Sequence, residues 1–255
     1  MIYEVKGEQR KNLSSLFASM DSTIILSALQ GHMGTVWVDD LENPTAAQVT
    51  VGIFVFYAGN PSSKGAEELL YNLPDFTLAI VETDEWKSLI EEVHNGRFEK
   101  FQRYQFIKNL EHLDIRYIEE LSNAVPKGYE LVKIDATIAK YSSLHKLSED
   151  FISQFDSLAD FIDRGIGFAV LKNGKVVCGA TSFSIYDEGI EIEIATHPEY
   201  RRKGLATITA AALIKECLER GLYPSWDGAN IESVKLAQKL GYRLKGSYDT
   251  YFIDK

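Results

Sequence analysis

The segment Ile190-Glu191-Ile192-Glu193-Ile194-Ala195-Thr196 constrains this chain more than any other. Alternating apolar and acidic side chains match the period of two of a half-buried β-strand and not the period of a helix. The strand runs through His197-Pro198-Glu199-Tyr200 into an apolar helical pattern over 204–220. A strand delivered directly into a long helix calls for an α/β fold, in the sense of an α+β arrangement on a mixed sheet.

The flanking sequence extends this pattern. Strand-like segments 167–171 and 175–186 enclose Asn173-Gly174, a dipeptide suited to the positive φ angles of a type I′ hairpin turn. A strand over 129–134 and helical segments over 137–144 and 148–163 precede the hairpin; a strand at 222–227, a helix at 230–240 and a strand at 248–253 follow the long helix. Upstream, residues 1–31 read as helical, 34–39 and 48–57 as strands, 64–71 as a short helix, 76–82 as a strand, 84–94 as a helix and 97–107 as a strand. The polar, Pro- and Gly-containing stretch Ser122–Gly128 places a domain boundary, giving an N-terminal α+β domain over 1–125 and a second domain over 126–255.

Charge and length narrow the function. The 255 residues carry a net charge of -10, with 10 basic and 19 acidic side chains in residues 1–125 and 17 and 18 in residues 126–255. Nucleic acid requires a basic face and is therefore not an expected partner, whereas a small anion held by local donors in the second half fits. No stretch approaches the ~20 apolar residues of a membrane span, so no membrane partner is expected. The opening Met1–Arg10 mixes acidic and basic side chains where a secretory signal needs an apolar core, and the expected compartment is the cytoplasm. Cys178 and Cys217 sit in apolar segments without histidines at metal spacing; both read as buried small hydrophobes, and no metal site is expected.

The loop between strand and long helix carries the chemistry. Arg201, Arg202 and Lys203 would oppose the dipole of the helix they precede, unless they and the unblocked first-turn amides share an anion such as a phosphate. Gly204 lets that anion approach the backbone. The bland alternative is a solvated basic turn.

Arg201-x-x-Gly204-x-Ala206 between a strand and a helix resembles the coenzyme A loop of the GCN5-related N-acetyltransferases (GNAT), and the hairpin, the strand ending Ile194-Ala195-Thr196 and the ending Lys239-Leu240-Gly241-Tyr242 match that family's order. The resemblance covers about 127–255. Within the superfamily, Trp226-Asp227-x-x-Asn230-x-x-Ser233 and Met33-Gly34-Thr35-Val36-Trp37 look similar to the zwittermicin A resistance type, which implies an antibiotic-resistance role. The resemblance implies acetyl-CoA as cofactor, with backbone groups of Ile194, Ala195 and Thr196 on the pantetheine and Arg201, Arg202, Lys203, Gly204, Leu205 and Ala206 on the pyrophosphate. Asn230 and Ser233 would lie beside the pantetheine, with Asn230 alternatively a helix N-cap. Where many family members carry a tyrosine that protonates the leaving thiolate, this chain has Ala237.

By the same resemblance the chain is an N-acetyltransferase acting by direct attack on a small-molecule amine, such as an aminopolyol antibiotic or related metabolite. Glu191, with Glu193 in reserve, is the candidate to take the ammonium proton, and the bland alternative for both is a solvent-facing pair at a sheet edge. His197 reads as a turn residue. The order of elements over 48–107 repeats that over 190–253, so the first half reads either as a degenerate GNAT-like copy lacking the arginines or as an unrelated α+β domain, and its acidity would attract a polycationic acceptor. The competing function is a catalytically weak acyl-CoA sensor or interaction module, and the expected assembly is a monomer or homodimer.

Overall fold

The computed structural model describes residues 1–254. Their contacts divide the chain into two compact units, residues 1–103 with 247 onward, and residues 104–246. This division groups 104–125 with the second unit and the last strand's end with the first.

The first unit is a sheet flanked by short helices. Its elements are β1 (Tyr3–Val5), α1 (Thr23–Leu29), β2 (Thr35–Val38), β3 (Ala46–Val51), β4 (Phe54–Gly59), α2 (Ala66–Tyr71), β5 (Phe76–Ile80), α3 (Asp84–Val93), most of β6 (Phe98–Phe106) and, from the far end of the chain, β13 (Leu244–Asp254). The strands β1 to β5 lie in sequence order with β13 beside β5, and β4 and β5 are parallel while the other pairs named are antiparallel. Tyr57, Leu69, Leu70, Trp86, Ile90 and Tyr251 form its core.

The second unit comprises α4 (Ile115–Asn123), β7 (Glu130–Lys133), α5 (Ser142–His145), α6 (Leu158–Arg164), β8 (Gly167–Lys172), β9 (Lys175–Tyr186), β10 (Gly189–Thr196), α7 (Leu205–Glu219), β11 (Tyr223–Ser225), β12 (Asp227–Gly228) and α8 (Ile231–Lys239). Its sheet has the order β11-β10-β9-β8-β7 and is mixed, because β10 and β11 are parallel and the rest antiparallel. Helix α7 packs on β8, β9 and β10, with α4 also against it, and is buried nearly all round, as its apolar sequence requires. On the opposite face the 3₁₀ turn Glu149–Phe151 lies over β9 and β10, and the Phe151 ring takes the space above Gly179, where a Cβ would stand 2.7 Å from it.

The hairpin at Asn173-Gly174 forms as expected, with φ of 50° and 73°. Three other expectations are corrected, and one helix is additional. Only Thr23–Leu29 of residues 1–31 is α-helical; Gly7–Leu13 is a 3₁₀ helix, which brings i and i+3 to one face just as an α-helix does and so imitates its periodicity. The supposed strand 48–57 is a hairpin whose two-residue loop begins at Gly52, φ 57°, the left-handed residue that a type II′ turn needs. The helix over 148–163 reduces to the 3₁₀ turn 149–151 and α6, with Ser157 capping the latter. Helix α4, not anticipated, begins at Asp114, whose carboxylate accepts from the Arg116 and Tyr117 amides.

Candidate active site

Strand β10 pairs with β11 only over Gly189–Glu191, whereas it pairs with β9 to its end at Thr196. The point of departure coincides with a bulge: Glu191 faces Ser184 and Ile192 faces Ser182, leaving Phe183 extra on β9. A bulge bends and twists the strand that carries it, so the sheet opens there. The His197 amide donates to the Val177 carbonyl at 2.9 Å. Backbone groups alternate sides along a strand, so Glu193 and Ala195 also face β9; the Ile192 amide closes the last rung of the parallel ladder with β11, and the backbone groups of Ile194 and Thr196 face the edge that β11 has left. Ile194 and Thr196 thus have backbone groups on the open edge, where the Thr196 carbonyl accepts from Arg201 Nε, and Ala195 uses its own within the sheet.

The open edge ends at the basic loop. Arg202 and Gly204 are both left-handed, with φ of 61° and 77°, and flank Lys203. Alternating hands turn successive amides toward one point and make an anion nest. Arg202 pays for this conformation with steric strain that a non-glycine residue accepts chiefly at functional sites. Gly204 caps α7 without any side-chain acceptor, so the amides of Leu205, Ala206 and Thr207 point outward at the positive end of a 15-residue helix. A Cβ built on Gly204 meets no atom within 4 Å, so the space in front of this terminus is open. Arg201 is drawn back by its Nε, which donates to the Thr196 carbonyl at 3.3 Å, and Lys203 Nζ lies 4.7 Å above the Tyr200 ring. Arg201, Arg202 and Lys203 are all exposed. This cradle of outward amides, open space and three cations fits a diphosphate, and the adjoining strand edge fits an extended amide-containing arm; together they suit coenzyme A.

The face of β10 opposite α7 carries the two glutamates. Glu191 is 5% exposed, in register with Ser184 on β9 and Ser225 on β11. Glu193 is half-buried, one step beyond the departure of β11, and its Oε1 accepts from Ser148 Oγ at 3.1 Å. Glu191 lies where β11 still pairs with β10, whereas Glu193 lies on the open edge, partly covered on the face where the 3₁₀ turn 149–151 packs. Asn230 caps α8, its Oδ1 accepting from the Ser233 amide at 2.9 Å, and Ser233 Oγ accepts from Trp226 Nε1 at 3.0 Å. Both side chains are therefore engaged in building α8. Ala237 is fully buried, and Tyr242 is buried with its hydroxyl donating to the Pro224 carbonyl at 2.5 Å. Burial holds its phenol well above the ordinary range. Ser148, Tyr200 and Thr209 were not singled out from sequence, since nothing in a serine before Glu149-Asp150 signals a bond to a strand 45 residues away.

A family model described as GNAT acetyltransferase matches residues 14–251. The chain belongs to the GNAT acetyltransferase family. Among its GNAT relatives, the uncharacterized N-acetyltransferase YdfB of Bacillus subtilis (strain 168) is 30% identical over 260 residues, covering 95% of this chain and 96% of its own. A GCN5-related N-acetyltransferase-like protein from Streptococcus suis 89/1591 is 35% identical and superposes with a TM-score of 0.87 over 96% of this chain and 98% of that one. A tandem GNAT protein from the clavulanic acid biosynthesis pathway, 12% identical, shares the fold over 100% of this chain and 98% of its own at a TM-score of 0.60. This protein is thus an acetyltransferase.

Proposed function

We propose that the acetyl donor is acetyl-CoA, that it is held entirely by residues of the second unit, and that the acceptor is the amine of a small molecule. The observation carrying this reading is the open edge of β10 leading straight into the anion nest at Arg202–Gly204. Bound acetyl-CoA supplies an acyl group activated as a thioester. Arg201 to Ala206 bind its diphosphate through amides and side-chain cations, and the outward amides of Ile194 and Thr196 bind the arm and polarise the thioester carbonyl. Glu193, half-buried beside the open edge of β10 and oriented by Ser148, receives the proton of the acceptor ammonium, directly or through water. Glu191, deeper on the same face, is the second carboxyl group within reach. With Ala237 in place of a tyrosine and the Tyr242 hydroxyl occupied, the leaving thiol takes its proton from water, which a leaving group of thiol acidity permits.

The zwittermicin A resistance-like motifs favour an aminopolyol antibiotic or related metabolite as acceptor, hence a resistance role in the cytoplasm. Among the described residues no helix is long and apolar enough to cross a membrane. For the first unit we favour a degenerate GNAT-like copy. There β4 extends past its pairing with β5, but the Trp86 indole donates to the Gly59 carbonyl at 3.0 Å and stacks on Tyr57 at that end. Helix α2 has six residues, with Glu67 and Glu68 in its first turn, which repel an anion. The whole-chain likeness to a tandem GNAT protein supports this reading.

The test is thiol release by the full chain from acetyl-CoA with a panel of aminopolyols, amino sugars and polyamines. Acetylation of at least one class is expected. Coenzyme A binding without thiol release from any amine would make the protein the acyl-CoA sensor instead.

A further inference from the structure

The proposed coenzyme A loop is fastened at both of its ends to one buried thiol. Cys178 lies on β9 opposite Thr196, fully buried. Its Sγ is 3.1 Å from Thr196 Oγ1 and 3.4 Å from Thr209 Oγ1, and Thr209 Oγ1 is 2.8 Å from the Leu205 carbonyl oxygen. Thr209 has a single hydroxyl proton, and the shorter contact to the carbonyl one helical turn back takes it. The thiol proton is then directed to Thr209 Oγ1, and the Thr196 hydroxyl donates to sulfur. Three bonds run in one direction from the last residue of β10 to the first residue of α7. Between those two residues lies the whole of the loop 197–204.

We infer that Cys178 is a positioning residue for the coenzyme A loop, holding the first turn of α7 at a set distance from the end of β10 through Thr209 and Thr196. The inference rests on the acetyl-CoA reading above and adds to it the residue that preorganises the nest. Arg202 and Gly204 keep left-handed conformations that a slack loop would relax. Preorganised amides bind an anion without first being ordered by it. A chemical role for the sulfur is disfavoured by its setting, because burial raises the Cys178 thiol above its ordinary value and keeps it protonated, which the hydrogen-bond chain requires. Cys217 provides the internal control. It is equally buried, on α7 itself, with its thiol pushed up to about 12 by burial, and its sulfur makes no hydrogen bond among the described residues.

Coenzyme A binding to the full chain should be measured by calorimetry for wild type, Cys178→Ala, Cys178→Ser and Cys217→Ala, with thermal midpoints alongside. Both alanine variants lose a buried sulfur and should lose comparable stability. Only Cys178→Ala should weaken coenzyme A, by about tenfold, the equivalent of one lost hydrogen-bonded link, and Cys178→Ser should recover part of that loss. In turnover, Cys178→Ala should raise the acetyl-CoA KM and leave kcat at saturation unchanged. If Cys178→Ala does not fold, Thr209→Val removes the middle link without emptying the core and carries the same expectation. Equal coenzyme A affinities in the two alanine variants, or a serine variant no better than alanine, would overturn the positioning role. A wild-type chain that does not bind coenzyme A would overturn the donor reading itself, and this inference with it.

Discussion

Glu191 and Glu193 stand two positions apart on one face of β10, and burial separates their roles. Both were legible in the sequence as a pair, because alternation alone puts them on one face. Their depth was not, because it is set by where β11 leaves and by the extra Phe183 on β9, neither of which has a mark within residues 190–196. The serine that holds Glu193 stands just before the 3₁₀ turn Glu149–Phe151, on another element again. Glu193→Gln should lower kcat/KM for the acceptor by roughly 10²- to 10⁴-fold, the usual cost of a lost positioned base, with coenzyme A affinity unchanged. Ser148→Ala should lower it by about 3- to 10-fold, the worth of one hydrogen bond to the carboxylate. Steady-state kinetics with a responsive amine decides. Wild-type rates in Glu193→Gln together with loss in Glu191→Gln would move the base to the buried position.

Elements whose ends carry chemically marked residues were read accurately; periodicity alone located β10, β5 and β6 but misread other segments. Asn173-Gly174 and the run from Thr196 through Gly204 into α7 belong to the first group, since positive φ at Gly and an unblocked helix terminus are demanded by the residues themselves. Residues 7–13 belong to the second, as does Gly52, where one glycine in an apolar run reads as a strand interior although it turns the chain back. Helix α3 ends on a residue whose consequence lies in stability. His94 is 3% exposed, its Nε2 donates to the Leu70 carbonyl at 3.1 Å, and its Nδ1 is buried without a hydrogen-bond partner. Burial first, and the charge of Arg97 after it, hold the imidazole below its ordinary value, against the opposing effect of the Leu70 bond. A histidine depressed in the folded state stabilises it above the unfolded value near ~6.5, and that contribution is lost as pH falls toward the folded value. The urea midpoint of the wild type should therefore drop between pH 7.5 and 5.5 by more than that of His94→Gln; equal drops in the two would show that His94 does not titrate with unfolding.

At the scale of the whole molecule each unit contains one parallel strand pair, and the two pairs differ in what they leave open. In the second unit the edge of β10 beyond Glu191 leads to a nest with three exposed cations; in the first, the corresponding end of β4 is occupied by Trp86 and followed by acidic residues. The cationic loop and its absence upstream were visible in the sequence, whereas the occupant of the first unit's gap was not, because Trp86 reaches Gly59 from α3, 27 residues on. The passage of β13 to the first unit's sheet, beside β5, was also hidden, since strand propensity does not say which sheet a strand joins. The proposed activity depends on one binding event, that of coenzyme A at the terminus of α7. Calorimetric titration of coenzyme A into the full chain and into Gly204→Glu, with circular dichroism confirming that both are folded, measures it directly. Saturable one-site binding by the wild type, and its loss when a carboxylate is placed in the open space before the nest, is the predicted result; equal affinity in the two proteins would contradict the account.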